Sequence, residues 1–204
     1  MKFMIGANPQ RARRGFTVIE LLVVIAIFSF ASLAISATYI NFTRLHRQAA
    51  NAEALNTDLR YISELIVRAV RNNRLDYSTN PIPSPRSQLS LLNSGNLQIA
   101  FSSRAPTDSA CTGLNVSTAC LAMFIQGRTA TWTPLSGKNI DILQFQVYVT
   151  PTADPFTPIG YGVYANNQQP VVTVFIQGRY NATNPRERAT VSIQTSSASR
   201  VYVR

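Results

Sequence analysis

Between Phe16 and Asn80 the chain contains neither glycine nor proline, a run of 65 residues without a helix breaker. In a helix interior glycine costs about 1 kcal/mol and proline about 3 kcal/mol relative to alanine, so the run leaves one long helix open. From Pro81 onward come ten of the 11 prolines and seven of the nine glycines. The 204 residues therefore divide into a helix-permissive half and a turn-rich half. There is no internal repeat and no low-complexity tract.

Within the first half, Leu21 to Thr43 is 23 residues without a charge, and its core reads Leu21-Leu22-Val23-Val24-Ile25-Ala26-Ile27-Phe28. About 20 residues of helix span a hydrocarbon core of ~30 Å. Ser29, Ser32, Ser36 and Thr38 make the run less apolar than many single-pass anchors. Ala31, Ala34 and Ala37 suit close contact with other helices. Beyond it, Leu45, Ala49, Ala52, Leu59, Ile62, Ile66 and Ala69 recur at threes and fours, with Leu55 near the same stripe. Arg60, Glu64, Arg68 and Arg71 fall on another face. Asn72-Asn73 and then Pro81-Ile82-Pro83 mark the end. A single helix from Phe16 to Asn73 would be roughly 87 Å long. Its first part would then lie outside any globular core of its own.

The chain carries 19 basic and nine acidic residues, a net +10. Charged residues are only 14% of the total, against roughly 25% in ordinary soluble domains. Lys2, Arg11, Arg13 and Arg14 precede the apolar run with no acid among them. They hold the N-terminus in the cytoplasm. With one histidine, His46, and two cysteines, Cys111 and Cys120, a His/Cys zinc site of usual ligand count cannot be built within one chain.

The junction Arg13-Arg14-Gly15-Phe16-Thr17-Val18-Ile19-Glu20-Leu21-Leu22 resembles the class III signal of type IV prepilins and type II secretion pseudopilins. The motif combines basic residues, Gly-Phe, a carboxylate four residues on and a long apolar helix. Close resemblance covers roughly Arg11 to Arg47; the rest is similar in architecture alone. The resemblance implies cleavage by a prepilin peptidase after Gly15 and N-methylation of the new N-terminus, Phe16. Glu20 matches the family's acidic residue, whose implied partner is the Phe16 amine of a neighbouring subunit. Insertion scales put a buried carboxylate at about 2.5–3.5 kcal/mol at a helix centre and less near an end, so Glu20 wants such a partner. Two other readings are a secretory signal with Leu21 to Phe30 as its apolar core, cut near Ala34 to Ala37, and an uncleaved anchor. Glu20 interrupts the basic-to-apolar transition and the helical pattern continues past that cut, which favours the prepilin reading. Many major pilins carry Gly or Pro inside the apolar helix; their absence here leans toward a minor pilin or minor pseudopilin.

The second half is rich in strand patterns. Leu97 to Phe101, Leu121 to Ile125, Thr129 to Thr133, Leu143 to Val149, Val171 to Gln177, Ala189 to Thr195 and Arg200 to Val203 read as strands. Ile140 and Ile142 lie on the opposite phase to Leu143 to Val149, which implies a bulge. Turns are expected at Ser94-Gly95-Asn96, Gln126-Gly127-Arg128, Ser136-Gly137-Lys138 and Asn184-Pro185. The expected fold class is α+β and pilin-like: a long N-terminal helix, transmembrane in its first half, packed by its second half on an antiparallel sheet. Phe124, Trp132, Phe145 and Tyr148 read as sheet packing rather than a base-stacking platform. The segments expected are a leader over 1–15, a transmembrane and filament-core helix over 16–43, its amphipathic continuation over 44–76 and an exported β-rich domain over 77–204.

In an exported domain Cys111 and Cys120 suit a disulfide contributing about 2.5–3 kcal/mol by loop entropy; two free thiols are the alternative. No catalytic group is identified, since the second half has no histidine and its acids are Asp108, Asp141, Asp154 and Glu187. Asp108 and Asp154 read as turn residues. Gly160-Tyr161-Gly162 lacks phosphate-loop context and reads as a turn. No enzyme activity, cofactor, metal or small-molecule substrate is expected. The partners expected are a prepilin peptidase, other pilin or pseudopilin subunits and the membrane. The chain would sit in the cytoplasmic membrane, N-terminus inside, before entering a pilus or pseudopilus. A second reading is a minor pilin that captures nucleic acid or a surface through Arg86, Arg104, Arg128, Arg179, Arg186 and Arg188. A signal-anchored exported enzyme is the third.

Overall fold

The structure is a computed structural model that describes residues 15–78, 85–128, 131–160, 163–164 and 168–200. Lys2, Arg11, Arg13, Arg14, Pro81-Ile82-Pro83, Thr129, Tyr161-Gly162 and Val201 to Val203 lie outside the described residues. The chain divides into two compact units, 1–43 and 44–204.

Helix α1 runs from Val18 to Asn72, 55 residues, within a residue or two of its expected bounds. Over 18–43 its side chains are almost all exposed. Hydroxyls there fold back onto the helix: Ser29 Oγ donates to Ile25 O at 2.8 Å, Ser36 Oγ to Ser32 O at 2.8 Å and Thr38 Oγ1 to Ala34 O at 2.9 Å. Each of these three hydroxyls is thus satisfied within the helix, which suits them to an apolar surrounding.

In the second unit α1 buries Leu55, Leu59, Ile62, Ser63, Ile66 and Val70. This stripe is narrower than expected. Leu45 and Ala49 are exposed, and Ala52 and Ala69 are only half-buried. Periodicity identifies the face of a helix but not how far along it the sheets reach.

The strands are β1 (Arg74–Leu75), β2 (Gln88–Leu92), β3 (Gln98–Arg104), β4 (Cys120–Ile125), β5 (Thr133–Pro134), β6 (Ile140–Thr150), β7 (Pro158–Gly160), β8 (Val163–Tyr164), β9 (Val171–Tyr180) and β10 (Thr190–Ala198). The expected sheet is two sheets and a small ribbon. One sheet has the order β1-β2-β3-β4-β5, the second β10-β9-β6, and β7 pairs with β8. All pairings are antiparallel. A single bridge, Arg86 with Val147, links the approach to β2 with β6. Arg86 N donates to Val147 O at 3.1 Å and Val147 N to Arg86 O at 2.8 Å.

The core is contributed by both sheets and the helix: Leu89, Phe101 and Leu121 from one, Phe145, Val147 and Ile176 from the other, and Leu59 and Ile62 from α1. The anticipated bulge is present on β6, where register shifts between Ile142 and Gln144. Opposite it lies Gly178, paired with Ile142. A Cβ at Gly178 would sit 3.2 Å from Leu55 Cδ1 and from both Leu59 methyls. The missing side chain is what lets the helix approach β9 there. The anticipated turns also form: Gly127 has φ 78° and Asn96 φ 56°, with Asn93 Oδ1 accepting from Gly95 N and Leu97 N.

Candidate functional site

Gly15 to Thr17 form an irregular segment just before α1. A Cβ at Gly15 would meet nothing within 4 Å, and Phe16 is 77% exposed. Among the described residues nothing packs over the Gly15–Phe16 bond. Thr17 caps the helix: Glu20 N donates to Thr17 Oγ1 at 3.3 Å. With Glu20 at the third helical position, Thr17-Val18-Ile19-Glu20 has the capping-box pattern, and its carboxylate lies in the favourable first turn of the helix dipole. The Thr-x-x-Glu spacing carries the signal for this cap. Glu20 is exposed, one turn into the helix and four residues from Phe16.

From Val18 to Phe42 the large apolar residues stand outward: Phe28 is 72% and Phe30 75% exposed. Among the described residues, α1 is the one helix long and apolar enough to cross a membrane, and its most apolar window is not buried at all. A helix that served only as the core of a soluble domain would be covered by its own chain.

In the second unit, Cys111 and Cys120 are joined by a disulfide with a Cα–Cα distance of 5.8 Å. It closes a loop that begins with a 3-10 turn at Ser109–Cys111, capped by Asp108, whose Oδ1 accepts from Ala110 N at 2.9 Å. Asp154 plays the same turn role toward Phe156 N. The disulfide loop is also held from inside by Asp141, which is fully buried. Asp141 Oδ1 accepts from the backbone N–H of Ser117, Thr118 and Ala119, and Oδ2 accepts from the Ser117 and Thr118 hydroxyls. Burial pushes its carboxyl up, but the bonds from Ser117, Thr118, Ala119 and Arg179 together hold it below the ordinary carboxylate value.

Of the six arginines that a phosphate could contact, Arg104, Arg179 and Arg188 are engaged within the domain, Arg188 Nε donating to Ala182 O at 3.3 Å. Arg179 pairs with Asp141. Arg104 lies 3.7 Å from the centre of the Trp132 ring and 3.8 Å from Asp108. Arg128, Arg186 and Arg188 are exposed, and Arg86 is half-buried with its backbone paired to Val147. They form no continuous stripe in sequence or on one strand. The aromatic residues separate likewise: Phe145 is in the core, Phe124 packs on Trp132 at 5.7 Å, and Tyr148 is exposed. Among the described residues, the segment around Trp132 contributes the two-residue β5.

His46 is exposed on α1. One position on, Arg47 reaches Glu187 at 3.5 Å, and Asn51 Nδ2 donates to Glu187 O at 2.9 Å. These two contacts dock the 3-10 turn Pro185–Glu187 against the helix.

Residues 10–36 match the family described as the prokaryotic N-terminal methylation motif. That motif is the hallmark of type IV pilins and pseudopilins, and it covers the Gly15–Phe16 junction, Glu20 and the exposed apolar part of α1. No curated protein and no solved structure matches the chain. The long apolar N-terminal helix with antiparallel sheets is an α+β arrangement consistent with the pilin fold.

Proposed function

We propose that the chain is a structural or assembly subunit of a type IV pilus-like filament or of a type II secretion pseudopilus. A prepilin peptidase removes residues 1–15 and methylates Phe16. The apolar segment 16–43 first holds the subunit in the cytoplasmic membrane, with the N-terminus inside and residues 77–204 exported. Residues 44–76 carry the helix into that domain. The same apolar surface then packs against other subunits in the filament. Glu20 meets the Phe16 amine of a neighbour, which compensates a carboxylate that hydrocarbon would otherwise disfavour and sets axial register.

The observation that carries this reading is the methylation motif at residues 10–36, placed on a helix whose apolar face is unburied where the motif lies. The test is co-expression with a prepilin peptidase followed by N-terminal sequencing and intact mass. A chain starting at methylated Phe16 supports the proposal; an intact Met1 start or a cut near Thr38 refutes it. Glu20→Ala should leave membrane insertion unchanged and lower filament incorporation. Normal incorporation would remove Glu20 from the assembly mechanism.

A further inference from the structure

The face of β6, β9 and β10 turned away from the core is laid out in three cross-strand rows. Gln146, Phe175 and Gln194 form the middle row. Tyr148, Thr173 and Ser196 flank it on one side, and Gln144, Gln177 and Ser192 on the other. None of the nine is charged at neutral pH. Four of the chain's 11 glutamines are gathered here. Strand alternation explains how: the intervening Val147, Val174 and Ile176 on β6 and β9 are buried, and Val191 and Ile193 on β10 are half-buried.

Gln144, Gln146 and Tyr148 on β6 and Gln194 on β10 border a shallow groove of about 530 Å³, with Thr173 and the half-buried Phe175 between them on the central strand. Its parts are held in place before any ligand arrives. Tyr148 Oη donates to Gln146 Oε1 at 3.0 Å, and the Thr173 and Ser196 hydroxyls share a bond of 2.8 Å.

We propose that this groove binds a neutral polysaccharide chain. An ionic ligand would find no countercharge in the three rows. A purely apolar ligand would strand the amides and hydroxyls without partners. A pyranose ring instead offers an apolar C–H face to Phe175 and hydroxyls to the amides, which supply both donors and acceptors.

The experiment places the full chain in phospholipid nanodiscs, free of sugar detergents, and measures saturation-transfer NMR with maltohexaose, laminarihexaose and chitohexaose, and with an oligogalacturonate as the anionic control. The expected result is transfer to the ring C–H protons of at least one neutral hexasaccharide at millimolar concentration and none to the anionic one. The exposed double variant Gln146→Ala/Gln194→Ala should weaken that binding about tenfold without shifting thermal unfolding. Phe175→Ala should do the same, and the double variant keeps the test valid if that protein folds poorly. Three outcomes overturn the proposal: no neutral hexasaccharide bound, equal binding by the double variant, or self-association of the chain that the double variant abolishes while no sugar binds.

Discussion

Asp141 and Arg179 face each other across β6 and β9, with Arg179 Nη2 donating to Asp141 Oδ2 at 2.6 Å. The same carboxylate holds the backbone of Ser117, Thr118 and Ala119. One buried charge thus fixes two strands and the disulfide loop together. Removing one partner of a buried pair costs about 3–5 kcal/mol. Asp141→Asn should destabilise the second unit by about 3 kcal/mol in denaturant unfolding. The folded carboxyl lies below its unfolded value of about 3.9, so its contribution is present above that pH and disappears as pH falls through the lower folded value. The variant should therefore lose part of the wild-type acid-unfolding slope; identical slopes would refute this assignment.

The Cys111–Cys120 bridge closes a loop whose interior residues are already held by Asp141. Loop entropy alone assigns the bridge about 2.5–3 kcal/mol. Because Asp141 restrains the same loop, Cys111→Ser/Cys120→Ser and Asp141→Asn should be non-additive in a double-mutant cycle. Simple additivity would show that the two restraints act independently.

Gly178 on β9 sits under Leu55 and Leu59 of α1. Gly178→Ala should cost about 1 kcal/mol or more by overpacking, since the helix side must shift by a few tenths of an ångström. Leu59→Ala in the same background should recover part of that loss relative to its effect in wild type, by making room for the methyl. Thermal unfolding of the four proteins reads this directly.

Tyr77 donates to Pro151 O at 3.2 Å, in a small cavity it shares with Arg74, Asp154 and Phe156. Burial, and then the nearby Asp154 charge, push its phenol up to about 12. The unfolded phenol ionises near 10, so the folded state binds this proton more tightly. Its stabilising contribution is complete below pH 10 and is lost as pH rises toward 12. Tyr77→Phe should flatten the decline of stability between those values; an unchanged alkaline slope would remove Tyr77 as its cause.

Elements with a strong local pattern were legible in the chain. The β6 bulge could be read because Ile140 and Ile142 keep one alternation phase and Phe145 to Val149 the other. Strand β2 could not: Gln-Leu-Ser-Leu-Leu has no β-branched residue, and three consecutive positions are buried, so no period-two pattern marks it. Nor could the paired use of Arg104 and Arg179, since their partners Trp132 and Asp141 are distant in sequence.

The sequence by itself determined the helix, its apolar first part and the Gly15–Phe16 junction. Each rests on residues adjacent in the chain, where propensity, charge and spacing act locally. Only the tertiary structure decided where burial along α1 begins, at Leu55 rather than Leu45, and that the strands form two sheets. It also decided that Asp141 is a buried anchor rather than a surface acid, and that the glutamines of β6, β9 and β10 share one face. Those outcomes depend on which strands pair and in what register, and register is set by packing between residues far apart in the chain.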